Sequence, residues 1–536
     1  MNLFRYGLFL LMVIGGTRAF AQDQRPNILL IIADDLGYTD LGAFGSEIST
    51  PSLDALAYAG VRLINFHTGS ACQQTRAMLM SGRGSSGVIQ RNPPRADGER
   101  AHQLRADVAT LPELLRDAGY RTYMAGKWDL GLTSDAMPVA RGFDRSFALL
   151  EASSSHFAEY FWDEKSYYQE DSRSIELEDL PTDFYSTRTY TDKMLEYLQA
   201  HKGATPWFGY VTYTAPHWPL QVPDKWLDRH AGNYDAGYDV LRSERVRRAT
   251  ELGVIPDGAG LVSFAPASVP WTSLDPNLQI RYARAQEIYA SMIELLDQQV
   301  GRLLSFLEET GQIDNTVIFF MSDHGASAAE IGVAEGPTSM PEHFNALEAK
   351  RDNSTANIGR IGSFVDHGRG FGEAVTAPLK YFKGTLAEGG IRAAAFIHYP
   401  AAIPRPAIND TFLTVMDILP SFLDIAGTTH LGAVNINGRE IQSISGGSFW
   451  PHLTGKELTV HGDYRAAGWS RGPLGAIIKG KFKLTNQPHP DVNIDDGVPP
   501  WRLYDIEADP GEIENIASMH PDVVASLFQI WEHDWQ

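Results

Sequence analysis

Uninterrupted apolar runs punctuate the chain, and each ends in polar chemistry. Ile28 to Ala33 is six apolar residues in a row, rich in β-branched side chains, and halts at Asp34-Asp35-Leu36-Gly37. Thr316-Val317-Ile318-Phe319-Phe320-Met321 repeats the pattern and halts at Ser322-Asp323-His324-Gly325. Trp207 to Tyr213 runs into Thr214-Ala215-Pro216-His217-Trp218-Pro219. Hydrophobicity that is continuous rather than alternating predicts central strands covered on both faces.

Helical signals fall between them. Thr50-Pro51 opens a helix that Gly60 closes, and Thr110-Leu111-Pro112-Glu113 is a capping box whose helix stops at Gly119. Tyr120 to Ala125 reads as the next strand and gives way to Gly126-Lys127-Trp128-Asp129-Leu130-Gly131. From about Arg281 to Glu309, a long helix places Ile288, Met292, Leu295, Leu296, Val300, Leu303 and Leu307 on one face. Arg392 to Tyr399 reads as a further strand, and Thr414 to Pro420 starts another helix. Alternating units of this kind predict an α/β fold, with a large, mostly parallel sheet sandwiched by helices. Toward the C-terminus, Tyr464 to Trp469, Gly475 to Lys479 and Lys481 to Leu484 read as short strands, and Pro521 to Trp535 as a final helix.

Length and charge narrow the class. A chain of 536 residues is too long for one ordinary core, so two domains are expected. The formal charge of −21 argues against nucleic acid and anionic membrane surfaces as partners, although acidity also simply keeps exported proteins soluble. Met1 to Arg5 is short and basic, Tyr6 to Gly16 is apolar, and Ala19-Phe20-Ala21 is a small-x-small cleavage site. Together they predict a signal peptide over 1–21 and a mature, periplasmic or secreted protein without a membrane anchor.

Two strand ends carry Asp34, Asp35, Asp323 and His324. Ligands sit at the carboxyl ends of strands in open α/β sheets. Neighbouring carboxylates repel unless a cation neutralises them, although aspartates also form plain turns. A donor set dominated by hard oxygen favours Ca2+ or Mg2+. The chain's single cysteine, Cys72, lies in Gly69-Ser70-Ala71-Cys72-Gln73-Gln74-Thr75-Arg76, a polar run that reads as a loop entering the helix Ala77-Met78-Leu79-Met80. Having no partner for an internal disulfide, it is either a small buried hydrophobe or a piece of chemistry.

These pieces resemble the type I sulfatases, a branch of the alkaline phosphatase superfamily. The resemblance is carried by the Asn27-to-Gly37 segment, Cys72-x-x-Thr75-Arg76, Gly126-Lys127-Trp128, His217 in Ala-Pro-His-Trp-Pro, Ser322-Asp323-His324-Gly325, and Lys383 to Arg392. It implies a catalytic domain over 22–456 and a C-terminal subdomain over 457–536, a small antiparallel sheet with one helix. It implies sulfate monoester hydrolysis, with Cys72 oxidised to Cα-formylglycine by a maturation enzyme and a metal held by Asp34, Asp35, Cys72, Asp323 and His324. The hydrated aldehyde would attack sulfur in line and expel the covalent sulfate by collapsing back to the aldehyde. Arg76, Lys127, Lys383 and His217 would steady the sulfate oxygens, with His217 protonating the leaving alcohol.

Some positions depart from the family pattern. Gln74 stands where the family has Pro or Ala, and His324 where it more often has Asn. Asp129 replaces the His expected to take the proton when the hemiacetal collapses. Counting Asp34, Asp35, Asp129 and Asp323 against a divalent cation, Arg76, Lys127 and Lys383 leaves about one positive charge with His217 neutral. That suits a sulfate monoester monoanion, carried by a small molecule or a glycan. Phosphodiesters and phosphonate monoesters carry the same charge, so a hydrolase for those is an alternative, as is a catalytically silent carbohydrate-binding relative. The aromatic stretch Ser153 to Tyr168 and the long polar stretch Ile331 to Gly372 read as substrate walls, with local packing as the plainer reading of the aromatics.

Overall fold

The computed structural model describes residues 25–94, 100–161, 165–256, 268–333, 342–403, 405–429, 434–436, 438–462, 465–492, 494 and 497–535. The expected signal peptide, Trp162 of the aromatic stretch, 334–341 of the polar stretch and Tyr464 lie outside these residues. Among the described residues no helix is long and apolar enough to cross a membrane.

The main sheet contains β1 (Asn27–Asp34), β2 (Val61–Leu63), β3 (Arg121–Lys127), β4 (Arg145–Leu149), β5 (Tyr168–Glu170), β6 (Arg173–Ile175), β7 (Trp207–Pro216), β8 (Thr316–Ser322), β9 (Ala395–His398) and β10 (Ala407–Asn409). Their spatial order is β10-β2-β9-β8-β1-β7-β3-β4-β5-β6. Pairing is parallel from β8 through β1, β7 and β3 to β4, and again between β10 and β2. It is antiparallel where β9 meets β8 and β2, and at the β4-β5-β6 edge. The sheet is therefore mixed, with its parallel part at the centre. A two-residue connection such as Asp171-Ser172 between β5 and β6 can only join antiparallel strands.

Alternation along β1 explains why its hydrophobicity is continuous. Leu29, Ile31 and Ala33 join the core on one face, and Ile28, Leu30 and Ile32 join the core on the other. Buried on both sides, such residues each contribute roughly 1.5–3 kcal/mol of burial. Helices α1 (Pro51–Ala59), α2 (Cys72–Ser81), α3 (Leu111–Asp117), α4 (Ser186–Ala200) and α5 (Pro276–Glu309) cover the faces. The 110–113 capping box is made in both directions, Glu113 N to Thr110 Oγ1 and Thr110 N to Glu113 Oε2.

Several boundaries differ from expectation, and three of them have a clear local reason. Helix α5 begins at Pro276 rather than near Arg281, because the Asp275 carboxylate caps Asn277 N and proline suits the first turn. Strand β3 runs on to Lys127 through Gly126, whose φ is +125°. A Cβ there would lie 1.9 Å from Thr212 O, so only glycine lets β3 stay against β7. Cys72, expected in a loop, is the first residue of α2. Ala71 at the cap offers no side-chain hydrogen bond, so the usual helix-start signal is missing from the sequence.

The C-terminal segment folds as β11 (Ala467–Arg471), β12 (Leu474–Lys479), β13 (Phe482–Thr485) and β14 (Arg502–Asp505), antiparallel in that order. The short helix α6 (Glu388–Ile391) precedes α7 (Ile418–Ile425), and α8 (Pro521–Asp534) closes the chain. Leu527 and Trp531 of α8 pack on Ile477, Leu484 and Leu503.

Candidate active site

The central parallel strands bring their chemistry to one end of the sheet. Asp34 closes β1, Lys127 closes β3, His217 follows β7 and Asp323 follows β8. Register makes this a single place, since Ala33 pairs with Ser322 and Asp34 with Pro216. Helix α2 enters the same place with Cys72 at its first turn.

Cys72 Sγ lies 3.4 Å from Asp34 Oδ1 and 3.1 Å from His324 Nε2. Asp34, Asp35, Cys72 and His324 together form a buried group whose ligand atoms all lie within 4.8 Å of one another. Asp323 borders this group. Its Oδ1 accepts from Asp35 N at 3.2 Å and stands 3.4 Å from His324 Nε2, while its Oδ2 accepts from Arg76 Nη2 at 3.2 Å. The aspartate pair turns at Asp35, which has φ +65°. The Tyr289 hydroxyl stands 3.0 Å from Asp35 O and 2.6 Å from Asp40 Oδ2, and Asp40 Oδ2 also accepts from Gly37 N.

Cations surround the acids. Lys127 Nζ is 2.5 Å from Asp34 Oδ2, and Lys383 Nζ is 2.6 Å from Asp35 Oδ1. Arg76 also donates to Lys127 O at 2.9 Å and to Thr212 Oγ1. Burial raises the Asp34 pKa, but Lys127, His217, Arg76 and Lys383 outweigh it and hold the group well below the carboxylate range. Burial dominates at Asp35 and, with Asp34 and Asp323 alongside, pushes its carboxyl well up despite Lys383. Burial and Asp34 likewise push the Cys72 thiol well up. As a thiol, Cys72 is therefore protonated and a poor nucleophile here.

His217 Nδ1 is 2.6 Å from Trp218 O, which leaves Nε2 facing Asp35 Oδ2 at 3.6 Å. Burial and Lys383 lower its pKa well below the imidazole value. Asp129 Oδ2 stands 4.0 Å from Lys127 Nζ, and burial lifts its pKa to about 6. Gln74 Oε1 accepts from Ser70 N and Ser70 Oγ, fastening the turn into α2. Thr75 Oγ1 donates to Asp323 O at 2.6 Å, so its hydroxyl is committed to backbone.

A cation fits this arrangement. His324 Nδ1 lies 2.8 Å from Gly325 O, so the ring turns its Nε2 lone pair toward Cys72, Asp35 and Asp323. Asp35 Oδ2 is buried without a hydrogen-bond partner. Lone pairs that converge in a buried site, one of them unsatisfied, call for positive charge.

Several aromatics of the flanking stretches are packed against one another, while Tyr160 is exposed. Phe161 meets Phe364, and Phe364 meets Trp218 next to His217, while Tyr168 is buried in β5. Sequence reasoning missed Tyr289, Asp40 and Arg245. Arg245 Nη1 is 2.5 Å from Asp40 Oδ1 and completes the support behind the Asp35 turn. A tyrosine on the buried face of α5 was the one available signal.

The chain matches the sulfatase family over residues 26–428. It is 37% identical over 538 residues to an uncharacterized sulfatase of Schizosaccharomyces pombe, covering 95% of this chain and 93% of the relative. It is 36% identical over 430 residues to an arylsulfatase of Klebsiella aerogenes, covering 78% and 90%. Among solved structures, Ps i-CgsB in complex with k-i-k-neocarrahexaose has a TM-score of 0.67 at 22% identity, covering 96% of this chain and 94% of that one, a likeness of fold. The chain belongs to the sulfatase family and is a sulfuric ester hydrolase.

Proposed function

We propose that the enzyme hydrolyses sulfate monoesters of small molecules or glycans at the Cys72 site, after conversion of Cys72 to Cα-formylglycine. The observation that carries this is the convergence of Asp34, Asp35, Cys72 and His324 within 4.8 Å, ringed by Lys127 and Lys383. Asp34, Asp35, Asp323, His324 and the modified residue 72 hold a Ca2+ ion, with Mg2+ the other candidate. When bound, the ion and the aldehyde hydrate supply Lewis acidity and an oxygen nucleophile.

The chain's own residues do the rest. Lys127, Lys383 and Arg76 offset the charge on the sulfate oxygens in a largely buried site, where charges act more strongly than in water. The negative charge of a bound ester opposes the effect of Lys383 on His217 and favours the protonated ring, which then gives its proton to the leaving alcohol. Asp129 takes up the released proton, a role that its pKa of about 6 suits. Residues 22–456 form the catalytic domain and 457–536 the C-terminal subdomain, and the leader over 1–21 directs export to the periplasm or beyond.

The test is turnover of p-nitrophenyl sulfate by wild type and by Cys72→Ala, both from a host with the maturation enzyme. Loss of turnover in the variant, with an unchanged melting temperature, is expected. Undiminished turnover would overturn the proposal.

A further inference from the structure

The segment that delivers Lys383 lies between the catalytic cage and the C-terminal sheet, and it is fastened on both sides. On the cage side, Lys383 N donates to Ala326 O at 3.0 Å and Gly384 N to Ser70 O at 2.7 Å. The Asp323-His324 turn touches α6 so closely that a Cβ on Gly325 would lie 1.7 Å from Gly389 O.

The C-terminal sheet supplies the other fastenings. Lys483 on β13 is fully buried, and its Nζ lies 2.8 Å from Glu388 Oε1 and 3.1 Å from Glu512 Oε1. Glu388 N donates to Glu512 Oε2 at 2.7 Å, and Glu388 Oε2 meets His67 Nε2 at 3.0 Å. Leu386 N donates to Gln487 Oε1 at 2.8 Å, Lys380 Nζ to Glu512 O at 2.8 Å, and Arg471 to Gly384 O. Trp469 Nε1 donates to Thr68 O at 2.7 Å, in the stretch that leads to Cys72. With Arg392 Nη1 3.6 Å from Glu388 and Lys380 alongside Glu512, three cations face two carboxylates. Burial lowers the His67 pKa, so its ring adds no charge. A buried ionic network of this kind fixes geometry more than it adds stability.

We infer that the C-terminal sheet is a positioning element of the active site, in which Lys483 sets the place of Lys383 by gripping Glu388 and Glu512 together. The inference rests on the proposal that Lys383 steadies the sulfate. Lys483 is a positioning residue, since it acts only through the 383–388 backbone.

A double-mutant cycle separates placement from general support. Lys383→Ala, Lys483→Met and the double variant are compared by kcat/KM on p-nitrophenyl sulfate, normalised to the folded fraction from thermal melts. Lys483→Met is expected to cost about tenfold with Lys383 present and less than about twofold without it, because coupled residues are non-additive. Equal fold-losses in both backgrounds would overturn the inference. If Lys383→Ala alone leaves kcat/KM at the wild-type value, Lys383 is not a sulfate anchor. In that case hydrogen exchange decides whether Lys483 still orders the segment. Faster exchange at 384–391 in Lys483→Met, with α5 unchanged, is expected, and unchanged exchange overturns the inference. Should Lys483→Met fail to fold, Gln487→Leu, which leaves no charge unpaired, takes its place in both measurements with the same outcomes.

Discussion

Lys127 Nζ lies 2.5 Å from Asp34 Oδ2, and neither side chain is exposed to solvent. The pair sits at the carboxyl ends of two strands that flank β7, so the sheet itself sets the spacing. Removing Lys127 takes away the nearest charge partner of Asp34 and leaves Arg76 Nη2 at 3.6 Å, so the cost lies below the roughly 3–5 kcal/mol of a buried charge left wholly unpaired. Lys127→Ala should therefore lower the melting temperature as well as kcat/KM, the latter by about 10²–10³ if Lys127 also steadies sulfate. Thermal melts and steady-state kinetics on an aryl sulfate check both.

Asp129 gives a pH signature. Burial raises its pKa to about 6, so the carboxylate that accepts a proton is populated above that value and lost below it. Activity should rise through a midpoint near pH 6. Asp129→Asn should lower kcat by about 10²–10⁴ and remove that limb. Asp129→His should recover turnover with a midpoint near about 6.5. An asparagine variant with full activity and the wild-type profile would remove Asp129 from the chemistry.

Chelation should cost stability as well as turnover. Any ion that binds only the folded chain adds about 2.7 kcal/mol when present at roughly 100 times its Kd. Treatment with EDTA, which strips both Ca2+ and Mg2+, should depress the melting temperature, and added Ca2+ should restore it. In Asp35→Ala the melting temperature should no longer respond to Ca2+. An identical melting curve with and without chelator would contradict the metal assignment.

Substrate charge is the fourth discriminator. With a divalent cation bound, the charge left over in the cage would be about one positive unit, which matches a sulfate monoester and is overshot by a phosphate monoester dianion. Purified enzyme should turn over an aryl sulfate well ahead of the matching aryl phosphate. A preference for the phosphate would contradict the count, and one for a phosphonate monoester would favour the alternative hydrolase.

Much of the site was legible because it follows strand ends. Apolar runs that stop at Asp34-Asp35 and at Asp323-His324 can be read without coordinates, and parallel pairing then brings those ends together. The helical start at Cys72 was not legible, since Ala71 carries no capping side chain. Nor was the extension of β3 to Lys127, which depends on what a Cβ at Gly126 would strike across the sheet. Supports such as Asp40 with Arg245, or Glu388 with Lys483, join residues about a hundred or more positions apart, and no local pattern announces them. The antiparallel margins of the sheet escaped for the same reason. Strand direction there depends on how the chain returns, and hydrophobicity carries no record of it.

The central claim is that residue 72 works as an aldehyde rather than a thiol. Mass spectrometry of the tryptic peptide Leu63 to Arg76, from protein purified out of its native host, tests this directly. The peptide should carry the lighter formylglycine side chain at position 72, despite Gln74 two residues on. A peptide found wholly as the unmodified cysteine, in a preparation that hydrolyses sulfate esters, would contradict the account.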